Sequence, residues 1–481
     1  MTDYERLVPY VVGSDDDGDQ SETVNAVTVT ADNDEGLGDS STCAAFCCDP
    51  NRRMHRLIAL FFMCFLSFGS YFCYDNPAAL EDKFESALNI TTTQYGWIYS
   101  VYAWPNVLLS FFGGFLVDRL LGVRCGALLF AFFILLGQIV FASGTFVSAF
   151  WLVLLGRFIF AMGGENLAVC QNIFAVKWFR GKELQTVFGI QLSFSRIGST
   201  VNMYVMRPLF HSLFAIRSLS KRLGATLLIG GTSTLLSFLC GVALAVLDRR
   251  RDVLLLRSTP PRNTRKDSDD SQEETPPREE EEEETLIRPR DILAFPATFW
   301  LLCVICVVYY VAIFPLVSFG LLIYFVSIVV SPLGGVLVDV YGRNVFFVTL
   351  STLLTIAGHS LLAFTYVTPY IAMALIGVAY SLLAASLWPC VCFVIPKRAW
   401  GTAYGLMQSV QNLGQAVFIV TAGKIVDSAG YLWLELYFLA FLAVSLLCSI
   451  LLYFVDARRG GVLNMSTQRR NAYFSEIGTN Q

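Results

Sequence analysis

The sequence predicts an all-α polytopic membrane protein with 12 transmembrane helices in two pseudo-symmetric six-helix halves. The chain has 481 residues, of which 55% are hydrophobic and only 15% are charged, and its mean hydropathy is +0.57. Soluble globular proteins carry about 25% charged residues, so the composition excludes an ordinary soluble domain. Apolar runs of about 18–25 residues, each long enough to cross a bilayer, recur along the chain. They fall into two sets of six.

Polar segments separate and flank these two sets. Residues 1–50 are rich in Asp and Glu, and the segment 248–297 contains six consecutive glutamates, so both are expected to be disordered and cytosolic. The six-helix halves are expected over 51–247 and 298–456, with a cytosolic tail over 457–481. The predicted spans lie near 57–75, 95–117, 124–143, 149–175, 185–208, 223–246, 298–317, 320–338, 345–365, 369–395, 402–425 and 431–455.

The distribution of positive charge predicts the orientation of the chain. Lysines and arginines cluster before the first span and in alternate loops, which is typical of the cytosolic side. Both termini and the linker are therefore expected to be cytosolic. The sequon Asn89-Ile90-Thr91 falls on the opposite, lumenal side, which makes Asn89 a candidate glycosylation site.

The seventh and eighth spans are unusually short. No charge occurs between Phe299 and Val338, and two crossings of a core about 30 Å thick leave almost no room for a loop between them. Because the flanking arginines are both expected in the cytosol, the chain must cross twice here. We expect a tight lumenal turn near Pro315–Gly320.

The two halves share sequence motifs, as expected of a transporter built from repeats. The run GGFLVDRLLGVR at 113–124 resembles GGVLVDVYGRN at 334–344, and VFGIQLSFSRIG at 187–198 resembles AYGLMQSVQNLG at 403–414. In this alignment Arg196 corresponds to Asn412 and Glu165 corresponds to Ser381. The scaffold is therefore symmetric, whereas the charges lie in one half.

Glu165 and Arg196 are isolated charges within apolar spans. Glu165 lies 12 residues before Lys177 and Arg196 lies 14 after Lys182, and both lysines belong to one polar loop. At 1.5 Å per helical residue, both charges lie about 18–21 Å from that loop and level with each other. A charge at this depth indicates a functional site. The pair could bind the two ends of a zwitterion, or it could form an internal salt bridge between the two spans.

The repeated glycine and aspartate motifs resemble the signature of the major facilitator superfamily. Glycine allows close helix approach, the aspartate can accept hydrogen bonds from a neighbouring helix N-terminus, and the arginine can anchor at the membrane interface. The resemblance implies the superfamily fold and a cytosolic gate. The gate residues are Gly114, Asp118, Arg119, Gly335, Asp339 and Arg343.

Longer runs resemble the major facilitator superfamily domain-containing protein 1 group, a family of lysosomal dipeptide transporters. These runs include FGSYFCYDNPAAL (68–80), WPNVLLSFFGGFLVDR (104–119), FSRIGSTVNM (194–203), SLLAASLWP (381–389) and GTAYGLMQSVQNLG (401–414). The resemblance implies export of dipeptides from the lysosome to the cytosol and a glycosylated single-pass membrane protein as accessory subunit. It also implies that Glu165 binds the amino end of the peptide and Arg196 its carboxylate. Family members are longer around spans seven and eight, so this chain resembles a shortened form.

Further residues are expected to contribute to substrate binding or sorting. Tyr74, Tyr309, Trp388 and Asn412 are candidates to line the cavity, whereas His359 has no visible partner and is expected to be structural. Leu7 with Val8, and Leu286 with Ile287, fit dileucine-like signals for clathrin adaptors.

Several functional alternatives stay open in the sequence. The chain shows no catalytic constellation, cofactor loop or metal cluster, and no nucleic-acid-binding pattern, so we predict that it is not an enzyme. Uniport and proton coupling are both compatible with Glu165. A transporter of another small organic anion, such as a monocarboxylate, would need Arg196 only. A transport-incompetent shortened form acting as a membrane receptor or scaffold is a third possibility.

Overall fold

The fold is all-helical, as the sequence predicts. The computed structural model describes residues 53–179, 181, 183–258, 289–319, 321–366 and 368–479. The acidic tail, most of the linker, and the predicted sorting residues Leu7, Val8, Leu286 and Ile287 lie outside these described residues.

The first half contains six long helices among the described residues. Helix α1 is broken into Arg53–Leu66, Phe68–Tyr74 and Asn76–Ala79, and a short surface helix, Glu81–Leu88, follows it. The others are α2 (Thr92–Leu116), α3 (Gly122–Phe146), α4 (Phe150–Phe179), α5 (Leu184–Ser212) and α6 (Leu219–Ser258), with a π-helical segment, Val117–Leu121, between α2 and α3.

The second half has the same order of helices. It begins with a short helix, Pro289–Leu293, and ends with a 3₁₀ turn, Val462–Asn464, and a helix, α13 (Thr467–Thr479). The six long helices are α7 (Ala297–Phe319), α8 (Leu321–Tyr341), α9 (Asn344–Phe364), α10 (Pro369–Val394), α11 (Trp400–Ala429) and α12 (Tyr431–Arg458); a 3₁₀ turn, Lys397–Ala399, precedes α11.

The helix termini follow from local sequence chemistry. The Thr91 hydroxyl accepts from the backbone N–H of Gln94, and the Gln94 side chain accepts from that of Thr91, so a capping box starts α2. Gly430 has φ +86°, which glycine adopts without strain, and separates α11 from α12. Helix α1 breaks at Ser67 and Asp75, within the first predicted span.

The helices form a bundle with an apolar surface and a largely apolar interior, within which polar side chains are also buried. Eight helical stretches of the described residues are long and apolar enough to cross a membrane, and one of them, Gln94–Phe146, runs through both α2 and α3. Leu108, Phe112 and Leu447 are more than half exposed on the outside of the bundle. Within the halves α3 packs on α4 and α9 on α10, and the two halves meet most extensively where α2 packs on α11 and α5 on α8.

Three segments differ from the sequence-based expectation. Helix α6 continues to Ser258, into the expected linker, because its charged residues pair at the end of the bundle. The expected tail after residue 457 is folded and includes α13. The residues from Pro315 to Phe319, expected in the lumenal turn, are helical, since α7 ends at Phe319 and α8 begins at Leu321; Gly320 lies outside the described residues.

Candidate functional site

The Glu165 carboxylate lies in the middle of α4 and faces α2. The Tyr102 hydroxyl donates a hydrogen bond to its Oε1 atom at 3.1 Å. The Tyr102 ring in turn packs edge-on against Tyr74 of α1, with ring centroids 4.8 Å apart. Tyr74 therefore lies beside the Glu165 side of the site, and its ring orders the tyrosine that binds the carboxylate.

The Arg196 guanidinium extends from α5 into the second half of the protein. Its Nη2 atom donates to the Tyr380 hydroxyl on α10, and its Cζ atom lies 4.8 Å from the ring centroid of Tyr324 on α8. Both tyrosines belong to the other half, so a charge of the first half is held by aromatic groups of the second. The Nε–H of Arg196 is buried and has no hydrogen-bond partner among the described residues.

Glu165 and Arg196 do not pair with each other. Among the ion pairs of the described residues none joins these two side chains, and each is bound instead by its own tyrosine. Tyr71 of α1 lies within electrostatic range of both charges and beside the Ser195 hydroxyl. The structure therefore does not adopt the internal salt bridge that the sequence left open, and the two charges are separate ends of one polar region.

Two other candidates belong to an aromatic cluster in the second half. The Trp388 indole N–H donates to the Tyr310 hydroxyl at 3.0 Å, and Tyr310 packs edge-on against Tyr380. Trp388 thus connects to Arg196 through two tyrosines. Tyr309 is fully buried, and its hydroxyl is 2.7 Å from the Thr355 hydroxyl on α9, so it faces the outer helices.

The repeat counterparts of the two charges make neutral contacts. The Asn412 amide of α11 donates to the Asn106 carbonyl and to the Ser110 hydroxyl of α2, both at 3.4 Å. The Ser381 hydroxyl of α10 donates to the Gly377 carbonyl at 2.8 Å. Asn412 therefore lies at the α2–α11 contact between the halves. Its repeat counterpart Arg196 lies at the other contact, where α5 meets α8 and α10.

Two further buried ionisable residues lie near the site, and of these the sequence indicated Arg157, as part of the Gly156-Arg157-Phe158 motif, but not Asp75. Asp75 lies at the second break of α1, beside the Ser199 hydroxyl and within electrostatic range of Arg157 and Arg196, and its Oδ2 atom has no hydrogen-bond partner among the described residues. Arg157 of α4 is 1% exposed and donates to the carbonyls of Cys73 and Tyr74, at 3.3 and 2.5 Å. These carbonyls are freed by the break in α1, so Arg157 stabilises the broken helix.

His359, which has no evident partner in the sequence, is paired in the structure. Its Nδ1 atom lies 2.6 Å from Oε2 of Glu435 on α12, and both side chains are buried. Contacts between α9 and α12 depend on tertiary packing, so no local sequence signal could have indicated this pair.

The two motif aspartates cap helices of the opposite half. Asp118, just after α2, accepts from the backbone N–H groups of Gly401 and Thr402 at 2.8 and 2.6 Å, and from the Thr402 hydroxyl at 2.8 Å. These groups lie in the first turn of α11, where N–H groups are unpaired and the helix dipole is positive. The contact therefore joins the two halves.

Asp339, near the end of α8, repeats this arrangement on α5. It accepts from the backbone N–H groups of Gln185 and Thr186 at 3.1 and 2.6 Å, and from the Thr186 hydroxyl at 2.5 Å. We call the end of the bundle formed by Asp118, Asp339 and the helix starts they cap the gate end. In this structure the gate end is closed on both sides.

The remaining motif residues contribute in different ways. A Cβ atom on Gly114 would overlap the backbone of Gly401, and one on Gly335 would overlap that of Gln185, so glycine allows the close contact at both sides of the gate end. Arg119 is exposed and lies over the Phe115 ring at 5.8 Å, and the Arg343 side chain is exposed. Within the part of the chain that the structure describes, neither Arg119 nor Arg343 forms an ion pair.

A charged cluster holds the first half together at the gate end. The buried Asp248 carboxylate of α6 accepts from Arg124 Nε at 2.6 Å, Lys177 Nζ at 2.7 Å and the Trp178 indole at 2.9 Å. All of these residues belong to the first half, so this cluster can stay intact when the two halves move apart. Asn89 lies at the opposite end, exposed, in a left-handed conformation just before α2.

Comparisons with known proteins agree with this architecture. The sequence profile described as Major Facilitator Superfamily matches residues 60–324 and 315–478. Two solved structures have the same fold. They are the transporter FucP in the outward conformation (TM-score 0.57, 17% identity, 82% of this chain and 99% of that chain) and the proton:xylose symporter XylE (TM-score 0.54, 11% identity, 82% and 94%).

Curated relatives are much closer in sequence. The chain is 45% identical to the human protein named lysosomal dipeptide transporter MFSD1 over 88% of this chain and 91% of that protein. It is 43% identical to the Danio rerio protein of the same name, over 92% of this chain and 96% of that protein. These matches confirm the predicted superfamily fold, and they confirm that the chain belongs to a family of transporters rather than enzymes. The protein is a multi-pass membrane protein of the Major Facilitator Superfamily and, within that superfamily, a member of the MFSD1 family.

Proposed function

We propose that this protein exports dipeptides from the lysosomal lumen to the cytosol by alternating access. Glu165 binds the amino end of the peptide, and Arg196 binds its carboxylate. The observation that carries the proposal is that these two opposite charges are held apart by separate tyrosines, Tyr102 and Tyr380, instead of neutralising each other. The names of the curated relatives support the same substrate class and compartment.

The proposal takes a dipeptide as substrate rather than a single amino acid, and the names of the curated relatives support this choice. The charged ends of an extended dipeptide lie about 7 Å apart, whereas one carbon joins those of an amino acid. Arg196 offers its unpartnered Nε–H, and its planar guanidinium can bind a carboxylate through two parallel hydrogen bonds. Tyr71, which interacts electrostatically with both charges, is a candidate to contact the peptide unit.

The gate end fits the cytosolic side of such a cycle. Asp118 and Asp339 close it through contacts between the halves, and the positive-inside pattern assigns the same end to the cytosol. The structure then corresponds to a state in which the cytosolic gate is shut. Release of the peptide requires both aspartates to leave the helix starts that they cap.

Two alternatives are less well supported by the site. A monocarboxylate transporter would use Arg196 but would give Glu165 and its bound tyrosine no role. A non-transporting scaffold would leave the shortened α7–α8 region outside the site, yet Tyr324 of α8 lies against Arg196. Lysosomal sorting through Leu7, Val8, Leu286 and Ile287, glycosylation at Asn89, and a glycosylated accessory subunit belong to the proposal on the strength of the family resemblance.

Uptake into proteoliposomes tests the proposal. Purified protein is expected to transport labelled dipeptides and not single amino acids or monocarboxylates. Glu165→Gln and Arg196→Ala are expected to abolish uptake, whereas the exposed-site controls Glu81→Gln and Arg217→Ala keep it. Equal uptake by Glu165→Gln and wild type, with loss only in Arg196→Ala, would favour the monocarboxylate alternative. Absence of any flux would favour the scaffold.

A further inference from the structure

The chain after α12 folds back onto the gate end instead of leaving the bundle. The Asp456 carboxylate of α12 accepts from the backbone N–H groups of Leu463 and Asn464, both at 3.1 Å. The N–H of Arg343 then donates to the Met465 carbonyl at 3.0 Å. Gly342, with φ +70°, leaves room for this segment, because a Cβ atom there would lie 2.5 Å from the Met465 carbonyl oxygen. The returning chain is thereby directed to the end of α8.

Helix α13 begins at this point and places one arginine in the protein interior. Arg470 is 3% exposed, whereas its neighbour Arg469 is exposed. The Arg470 Nη1 atom donates to the Asn344 side-chain oxygen at 2.7 Å, and its guanidinium lies 4.2 Å from the Phe393 ring centroid. Burial lowers the pKa of the Arg470 guanidinium from its ordinary value. A buried charge of this kind is retained only where the surrounding contacts offset its desolvation.

The same arginine also reaches the first half of the protein. With the Gln185 amide oxygen turned toward it, Arg470 Nη2 donates to that oxygen at 3.1 Å, and the amide nitrogen donates to Asp339. Gln185 and Asp339, together with Thr186, join α5 to α8 at the gate end. The Thr467 hydroxyl adds a 2.6 Å hydrogen bond to the Asp339 carbonyl, and the Asn471 side chain lies against Gly181 of the α4–α5 loop.

Among the described residues, α13 hydrogen-bonds to the α5–α8 side of the gate end and not to Asp118 on the α2–α11 side. Among the described residues, the hydrogen bonds that the Asp118 carboxylate accepts come from the start of α11, namely from Gly401 and Thr402. Around Asp339 the start of α5 is joined by α13. The repeat motifs are alike on the two sides, so α13 makes an otherwise symmetric gate asymmetric.

We propose that α13 is a latch on the α5–α8 side of the gate end, and that Arg470 is the positioning residue that holds it. In this account α13 must release Gln185 before the gate end opens. Removing the guanidinium then favours opening, because it withdraws contacts made only in the closed state. The inference concerns the gate and holds whichever small molecule is transported.

Hydrogen exchange and transport kinetics together test the latch. Three variants of the full-length protein are compared with wild type, namely Arg470→Ala, Arg470→Lys and the matched control Arg469→Ala. We expect Arg470→Ala to raise the exchange rate of the first turn of α5 and of α13 by about tenfold or more, as loss of a charge-assisted hydrogen bond predicts. Arg470→Lys, which keeps the charge but not the planar fork, should be intermediate, and Arg469→Ala should match wild type. The ratio of outward to inward initial transport rates should shift only in the Arg470 variants.

A purely structural role for α13 gives a different pattern. If exchange increases in α13 of Arg470→Ala while the start of α5 and the transport rates stay at the wild-type level, α13 only covers the second half and the latch is wrong. If Arg470→Ala does not fold, Thr467→Val, which removes only the hydroxyl bonded to Asp339, provides the second test. An unchanged start of α5 in that variant also contradicts the latch.

Discussion

The Tyr380 hydroxyl on α10 accepts a hydrogen bond from the Arg196 guanidinium on α5, so the positive charge of the candidate site belongs to one half and its partner to the other. A substrate carboxylate bound to Arg196 would therefore meet both halves at once. In an alternating-access cycle this is the place where binding can influence the relative position of the halves.

Removing the Tyr380 hydroxyl should weaken transport without abolishing it. Tyr380→Phe leaves a buried guanidinium donor without its partner, which costs about 1–3 kcal/mol. We expect the ratio kcat/KM for dipeptide uptake to fall by about 5–150-fold, which is this free energy expressed as a rate ratio. Tyr370→Phe, at a residue that is 70% exposed, is the control. Equal values for both variants would show that Tyr380 does not support Arg196.

Tyr102 should matter less than the carboxylate that it binds. Tyr102→Phe removes one hydrogen bond to Glu165 but leaves the charge, so we expect a decrease in uptake of about tenfold, against complete loss in Glu165→Gln. The double variant should be no worse than Glu165→Gln alone, because both changes act on one interaction. Because Glu165→Gln leaves no uptake to compare, the double-mutant comparison uses dipeptide affinity measured by thermal shift. Additive losses of affinity would contradict the coupling of these two residues.

Neutralising the gate aspartates should favour the state that is open at the gate end. Asp118→Asn and Asp339→Asn each weaken charge-assisted hydrogen bonds to a helix start, worth about 1.5–3 kcal/mol per bond to a charged group. We expect faster hydrogen exchange at the first turn of α11 in Asp118→Asn and of α5 in Asp339→Asn. Asp291→Asn, in the short helix before α7, is the control. Slower exchange at these turns would contradict the closing role.

Asp248 should affect stability rather than gating. Its carboxylate binds Arg124, Lys177 and Trp178 within one half. The two cations are partly exposed and also pair with Asp252, so Asp248→Asn should cost about 1–3 kcal/mol, the range for a buried polar group that loses its hydrogen bonds. We expect a lower thermal unfolding temperature in detergent, with an unchanged KM for the protein that stays folded. Asp252→Asn, at a side chain that is 35% exposed, should have a smaller effect. A changed KM with normal stability would assign Asp248 to the gate instead.

The sequence predicted those parts of the molecule that depend on local pattern. Apolar runs mark the membrane helices, and the repeated motifs mark Asp118 and Asp339, because both features recur at fixed spacings. The partners of the two charges could not be found in this way. Tyr102 and Tyr380 lie far from Glu165 and Arg196 in sequence, and only the packing of α2 on α4 and of α10 on α5 brings them together.

The same limit explains what was missed elsewhere. Helix α13 is polar and lies within the predicted tail over 457–481, so nothing in its composition indicates that Arg470 is buried. His359 and Glu435 are each isolated in apolar runs and meet only through the contact of α9 with α12. In each of these cases the sequence shows the charged or titratable residue, but only the tertiary structure shows which residue it contacts.

The central claim is that Glu165 binds an ammonium group and Arg196 a carboxylate, and blocked peptides test it most directly. Binding of a free dipeptide, its N-acetyl form and its C-terminal amide to wild type, Glu165→Gln and Arg196→Ala is measured by thermal shift, at peptide concentrations where the weakened binding of the variants is still detectable. The account expects wild type to reject both blocked forms. It also expects Glu165→Gln to stop distinguishing the N-acetyl form from the free peptide, and Arg196→Ala to stop distinguishing the amide. If each variant still discriminates as wild type does, or if the two preferences are exchanged, the assignment of the two charges is contradicted.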